Sequence, residues 1–248
     1  MRYLGGKSKH AKSILYIVLR NRKPGQWYVE PFVGGGAVIE CVKGNRIGAD
    51  LNPYAIQALI SIRDNIDELP KNNTEFTEDD YKKLRLDDSY KHKGYAGLAF
   101  SFSGKWLGGY AKDNQCVDYV AKAYKSAVTQ SHRLAGVELL CCSYKDLPVP
   151  PNSLIYCDPP YAGTTGYSTG AFNHDEFWDW CRKMAAAGHD VFVSEYGAPG
   201  DFACVYTKPA ANSVTLDKTK IKTAYEKLYV HESQLGKTLY QYDMFGAA

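Results

Sequence analysis

Asp158 ends the apolar run LIYC and is followed by two prolines and a tyrosine, in the stretch LIYCDPPYAG at residues 154–163. Proline fixes its own φ and donates no ladder hydrogen bond, so a strand carrying this run must stop at Asp158. A carboxylate at the end of a buried strand, backed by stiff backbone, is either a strand-ending turn with Tyr161 in the core or part of an active site. Two further constellations bear on that choice. In VEPFVGGGAV, residues 29–38, three glycines between a strand and a helical stretch let the backbone approach a ligand closely. The pattern is not a P-loop, since GxxxxGK[ST] is absent, and not the dinucleotide fingerprint, because the position three after Gly36 is Ile39. Glu30, just ahead of the turn, would repel a phosphate and suits a ligand with cationic or hydroxyl groups. Asp50, in IGADLNP, ends a second strand, where α/β nucleoside binders hold ribose hydroxyls. An aspartate beside Asn-Pro is also a common capping arrangement.

The elements that must position these acids follow from patterning. Residues 27–32 (WYVEPF) predict a buried strand, residues 37–42 a helical stretch, and residues 46–49 (RIGA) a second strand. Asn52 and Pro53 then open a helix, asparagine as N-cap and proline at its first position. This is the βαβ rhythm of a parallel sheet. From about residue 57 to 136 the rhythm breaks into acidic and basic helical stretches and the segment GYAGLAFSFSGKWLGGYAKD, residues 94–113, whose glycines and aromatics predict a hairpin or exposed loop. From Val137 it resumes: VELLCC and LIYCD are strands, HDEFWDWCRKMAAAG is an amphipathic helix ended by Gly188, and DVFVS is a further strand. YEKLYVHE and KTLYQYDMF close the chain as antiparallel strands. The predicted organisation is a catalytic domain in two parts, residues 1–56 and 137–248, interrupted at 57–136 by a largely helical insertion with a β-hairpin. An insertion of roughly 80 residues exceeds any ordinary connection and points to a function of its own.

Composition bounds the rest. The chain has 248 residues, 45% hydrophobic and 23% charged, as in an ordinary globular protein. No apolar run approaches the roughly 18 residues needed to span a membrane, and the first residues lack a signal-peptide core, so a cytoplasmic location and no membrane partner are expected. Seven cysteines form no CxxC pair and six histidines show no ligand spacing, which predicts reduced thiols and no metal. The net charge of +3 is unevenly spread. Arg2, Lys7, Lys9, Lys12, Arg20, Arg22 and Lys23 share residues 1–24 with no acid, residues 89–136 hold seven bases against two acids, and Lys218, Lys220 and Lys222 form a further cluster. Separated basic patches suit a polyanion binder, although solvated lysines give the same pattern.

RYLGGKS, VEPFVGGG, ADLNP and YCDPPY, in that order, with EKLYV near the end, resemble the Dam-like DNA adenine methyltransferases, and FSFSGKWLGGYA resembles their phage and prophage members. The resemblance runs the length of the chain. It implies an α/β fold, the Rossmann-like, seven-stranded, mostly parallel sheet of class I methyltransferases, with a target-recognition insertion before the DPPY strand. It implies S-adenosyl-L-methionine as methyl donor and double-stranded DNA as partner. On this resemblance Tyr3 and Lys7 lie against the methionine end of the donor. Glu30, Pro31, Phe32, Gly34, Gly35 and Gly36 line its amino-acid and sulfonium region, with Asp158 nearby. Asp50 accepts from the ribose, and Tyr144 and Asp146 hold the adenine, Tyr144 standing where phenylalanine is usual. Asp158, Pro159, Pro160 and Tyr161 form the pocket of the flipped target adenine.

Elementary chemistry agrees with that implication. An adenine amine is a poor nucleophile because its lone pair is delocalised into the ring. The Asp158 carboxylate and the Pro159 carbonyl can each accept one N–H, favouring a pyramidal nitrogen, which is positioning and electrostatic stabilisation. Tyr161 would stack on the extruded base. Ser103, Lys105, Trp106 and Tyr110 are candidates to enter a DNA groove, or else an aromatic cluster packing the insertion together. Residues 164–172 read as a loop closing over the base, and Lys218, Lys220 and Lys222 as phosphate contacts. The expected enzyme methylates the N6 amine of adenine in duplex DNA, in restriction–modification or phage DNA protection, in a bacterial cell or phage-infected host, as a monomer or weak dimer. Methylation of the cytosine exocyclic amine calls for the same chemistry but more often shows serine at the first DPPY position. A catalytically inactive DNA-binding decoy is the rival from another class.

Overall fold

The computed structural model describes residues 1–112, 117–161, 172–210 and 224–238. Its strands are β1 (Tyr28–Glu30), β2 (Arg46–Asp50), β3 (Val137–Cys141), β4 (Leu154–Cys157), β5 (Asp190–Ser194), β6 (Phe202–Ala210) and β7 (Ala224–His231). They form a seven-stranded mixed sheet in the order β3-β2-β1-β4-β5-β7-β6, with the parallel α/β core expected from the βαβ rhythm and the Rossmann-like class implied by the resemblance. The chain divides into two compact units: Met1–Leu15 with Pro31–Leu147, and Tyr16–Glu30 with Pro148–Ala248. Residues 162–171, with Lys218, Lys220 and Lys222, lie outside the described residues.

In the first unit β2 and β3 run parallel, with Asp50 opposite Cys141, so both carboxyl ends fall on one edge. Helix α2 (Pro53–Asp64) starts as the sequence dictates: the Asn52 side chain accepts from the Tyr54 N–H at 3.0 Å, and Pro53 takes the first position, where no N–H is missed. Ala55, Ile56, Ala58, Leu59 and Ile62 form its buried face. The helical stretch expected over residues 37–42 is corrected to one 3-10 turn, Ile39–Cys41. Val38, Ile39 and Val42 are β-branched and poor helix formers, Val42 is already extended, and Gly44 turns the chain at φ 81°.

The expected hairpin at residues 94–113 also takes another form. After α3 (Glu78–Leu84), capped by Thr77, it begins as α4 (Lys93–Ala99), every residue of which is buried. A Cβ at Gly94 would lie 2.3 Å from the Tyr54 carbonyl oxygen, and one at Gly97 would lie 2.4 Å from the Trp106 ring. The glycines that looked like turn residues therefore bring backbone against neighbouring groups. After α4 a single antiparallel bridge, Ser101 to Tyr110, closes a loop over residues 102–109. Helix α5 (Tyr119–Leu134) completes the segment, capped by Asp118, which accepts from the Ala121 N–H at 2.8 Å.

In the second unit β4 is buried along its whole length, parallel to β1 on one side and β5 on the other. Strand β7 is antiparallel to both β5 and β6. Patterning does not reveal β6, because an irregularity between Cys204 and Tyr206 breaks its period-two alternation. Helix α6 (His174–Ala186) is capped by Asn173, which accepts from the Glu176 N–H at 3.1 Å, and buries Phe177, Trp178, Trp180 and Cys181. Of the terminal KTLYQYDMF stretch, Lys237 and Thr238 end a short helix, Leu235–Thr238, and the remainder lies outside the described residues.

Candidate active site

In the first unit the glycine turn is packed from both sides. The Tyr3 ring lies over it: a Cβ at Gly34 would fall 2.9 Å from Tyr3 Cε1, and one at Gly35 would fall 2.6 Å from Tyr3 Cβ. Gln130 Nε2, on α5, donates to the Gly35 carbonyl at 2.9 Å, and Gln130 Oε1 accepts from the Met1 amino group. Asp50 holds the same turn through a carboxylate oxygen that accepts from the Gly34 N–H at 2.9 Å. Its second oxygen accepts from the Asn52 N–H at 2.9 Å. Burial holds the Asp50 carboxyl above its ordinary value, and the two backbone N–H groups partly oppose that. Each oxygen retains a lone pair for a hydroxyl donor. Phe32 and Tyr144 meet with ring centres 5.5 Å apart, Tyr144 being buried and Asp146, two residues on, exposed. The carbonyl of Lys7 accepts from the His10 and Ala11 N–H groups, each at 2.8 Å, leading into α1 (Ala11–Val18). Pro31, next to the turn, is buried. Tyr3, Gly34–Gly36 and Asp50 thus form one cluster at the carboxyl edge of β2.

In the second unit the parallel strand β4 delivers Asp158 at its carboxyl end, half-buried, with Pro159 buried behind it. Tyr161 is held at both ends of its side chain. Its hydroxyl donates to Glu226 Oε1 at 2.8 Å, and its ring meets the Tyr196 ring edge-on at 4.6 Å and 81°. Burial, then the negative charges of Asp158 and Glu226, push the Tyr161 hydroxyl far above its ordinary value, so it stays protonated and donates. Tyr156, inside β4, shares a 2.8 Å hydrogen bond with Ser194, and burial and Asp158 raise its hydroxyl likewise. Glu30, at the end of β1, is buried and accepts from the Tyr28 hydroxyl at 2.7 Å.

The loop over residues 102–109 divides its side chains. Ser103 and Lys105 are exposed, and Phe102, which sequence reasoning passed over, is 66% exposed. Trp106 stacks on Tyr54 at 4.0 Å and 18°, while the Tyr110 hydroxyl donates to the Phe76 carbonyl at 3.3 Å, so both belong to the packing of the helices. The loop's base is pinned to the chain's first residues by the Leu4 N–H, which donates to the Gly104 carbonyl at 3.1 Å. A second basic feature joins Arg2, of the N-terminal basic run, to Lys122, which was not singled out in the sequence. Arg2 and Lys122 stand 5.7 and 5.5 Å from the ring centre of Tyr119, beside a cavity of about 110 Å³ that Ser126 also lines. Among the described residues no group of three or more His, Cys, Asp or Glu side chains could hold a metal ion, and no helix is long and apolar enough to cross a membrane.

A mostly parallel α/β sheet with aspartates at the carboxyl ends of β2 and β4 has the architecture of the Rossmann-like methyltransferases. Residues 3–99 match the model of one family, the D12 class N6 adenine-specific DNA methyltransferases. The matched stretch includes YLGGKS, the glycine turn and Asp50, and ends before DPPY. No curated protein matches the chain. Among solved structures it is similar to the rRNA methyltransferase aviRa from Streptomyces viridochromogenes, with 12% identity and a TM-score of 0.41 over 93% of this chain and 86% of that one.

Proposed function

We propose that the chain methylates the exocyclic N6 amine of an adenine extruded from duplex DNA, with S-adenosyl-L-methionine as donor. The observation that carries this reading is Asp158: a carboxylate delivered half-buried by a fully buried parallel strand, with buried Pro159 stiffening the backbone behind it. The first unit would hold the donor. Its acceptor set suits a nucleoside: Asp50 keeps lone pairs for two ribose hydroxyls, and the Phe32–Tyr144 pair offers aromatic surface to an adenine. Tyr3, Lys7 and the Gly34–Gly36 backbone would complete its surroundings. The donor's sulfonium supplies an already activated methyl group, so no protein nucleophile is required.

The second unit would hold the acceptor base. Asp158 and the Pro159 carbonyl each accept one amine N–H, which localises the nitrogen lone pair and counters the charge that develops on it. Tyr161 gives the base a flat surface to stack on once it has left the helix. Ser103 and Lys105, on the loop of the 57–136 insertion, together with Arg2 and Lys122, would contact DNA.

Incubating the chain with tritiated S-adenosyl-L-methionine and mixed-sequence duplex DNA, followed by digestion to nucleosides, tests the reading. N6-methyl-2′-deoxyadenosine is expected, and Asp158→Ala should abolish it while leaving donor binding measurable by calorimetry. Label in N4-methyl-2′-deoxycytidine instead would move the assignment to cytosine. Tight DNA binding without label would make the chain a decoy. Wild-type rates in Asp158→Ala would remove Asp158 from the reaction.

A further inference from the structure

The hydroxyl of Tyr161 ends on a carboxylate that is only 5% exposed, Glu226 of β7, at 2.8 Å. Burying a carboxylate is unfavourable, and apolar packing alone would hold a tyrosine ring in place with no charge to bury. What packing alone does not provide is a fixed ring plane, because a tyrosine ring rotates about its own axis and slides between neighbours. Two contacts of different kinds remove that freedom here. The hydroxyl-to-carboxylate hydrogen bond fixes the far end of the ring, and the edge-on contact with Tyr196, 4.6 Å between centres at 81°, fixes its tilt. The two partners come from separate elements, Glu226 from within β7 and Tyr196 from the turn after β5. That turn is tied to β7 in its own right, since the Tyr229 hydroxyl donates to the Tyr196 carbonyl at 3.3 Å. The bond to Glu226 is also one-directional. The Tyr161 hydroxyl donates and Glu226 Oε1 accepts.

We infer that Glu226 is the positioning residue of the base pocket, its carboxylate fixing the ring plane of Tyr161 on which the target base stacks. The inference rests on the proposed function, since it needs a base to arrive at Tyr161. Glu226 stands opposite Lys208 in the β6–β7 register, so a plain cross-strand role for the carboxylate is the alternative that a test must separate.

The test uses the full chain and a duplex carrying its mapped methylation site, with kcat, KM for DNA and donor affinity measured for Glu226→Ala, Glu226→Gln, Tyr161→Phe and the double variant Tyr161→Phe/Glu226→Ala. Loss of ring orientation should lower kcat about 10- to 100-fold in Glu226→Ala and Tyr161→Phe, the scale of a misplacement near 1 Å, with donor affinity unchanged. Because both substitutions break one hydrogen bond, the double variant should be no slower than the slower single one. Glu226→Gln keeps an oxygen acceptor and should stay within a few-fold of wild type. Duplexes bearing 2-aminopurine at the target position should fluoresce more strongly in Glu226→Ala complexes, because the extruded base is less well stacked. Losses that multiply in the double variant, or a Glu226→Gln as slow as Glu226→Ala, overturn the inference and leave Glu226 a structural partner of Lys208. If Glu226→Ala fails to fold, the contrast between Glu226→Gln and Tyr161→Phe decides in the same way. A wild-type chain that transfers no methyl group overturns the proposed function itself, and this role with it.

Discussion

Gly36 and Gly136 hold nearly the same positive φ, 72° and 74°, in the same unit, but their surroundings differ completely. A Cβ at Gly136 would meet nothing within 4 Å, whereas one at Gly36 would lie 3.0 Å from Leu59 Cδ2 and 3.3 Å from Gln130 Nε2. Substituting alanine at each position therefore separates backbone strain from packing. Both variants carry the left-handed penalty, about 1–2 kcal/mol for a residue with a Cβ. Only Gly36→Ala also displaces Gln130, whose amide donates to the Gly35 carbonyl at 2.9 Å, and the lost bond is worth about 0.5–1.5 kcal/mol. Pressing on Leu59, fully buried in α2, adds about 1–3 kcal/mol of overpacking. Gly36→Ala should thus be less stable than Gly136→Ala by about 1.5–4.5 kcal/mol, the sum of those two contributions. Urea unfolding of the full chain measures this difference, and calorimetry with S-adenosyl-L-methionine should show weakened binding in Gly36→Ala alone. Stabilities within about 0.5 kcal/mol of each other would refute the packing analysis, because surroundings would then count for no more than a distant surface change. Equal donor affinities would detach the glycine turn from donor binding.

Two further outcomes are expected. Lys122→Gln should weaken DNA binding at all sequences alike and reduce the slope of log Kobs against log salt by about 0.9, one phosphate contact; an unchanged slope in a salt titration would remove the Tyr119 cavity from the interface. His189 accepts the Ser153 N–H at Nδ1, 3.1 Å away in a buried setting, and burial lowers its pKa from the ordinary 6.5. A histidine held neutral stabilises the fold above the unfolded value and loses that contribution as pH falls through the window below 6.5. The urea midpoint of the wild type should therefore drop from pH 7.5 towards more acidic pH by an amount that is missing in His189→Gln; parallel profiles would show that His189 does not titrate with folding.

Local rules made much of the frame legible. Asn52-Pro53 starts α2 where cap and ring chemistry require, Pro31 ends β1, and the apolar run before DPPY is a strand buried on both faces. What escaped depends on partners distant in sequence. The glycines of residues 94–97 have the same local signature whether they turn a hairpin or let a helix approach Tyr54, and only the partner decides. Strand β6 was hidden by an irregularity that shifts its alternation. Glu226 lies inside the EKLYV stretch, yet nothing in that stretch says that its carboxylate meets a tyrosine 65 positions earlier. Gln130 is equally silent, a polar residue on an amphipathic helix whose amide turns out to hold the Gly35 carbonyl.

The loop closed by Ser101 and Tyr110 has a consequence for how such a protein can change. Its anchors, Trp106 against Tyr54 and Gly97, and Tyr110 against Phe76, are committed to the fold. Phe102, Ser103 and Lys105 project from the same short segment and carry no such commitment in the core. If this loop meets DNA, as proposed, mutation can explore target preference at three exposed positions while the scaffold beneath them stays fixed. Lineages carrying this frame would then diverge in the sequences they mark faster than in the way they fold.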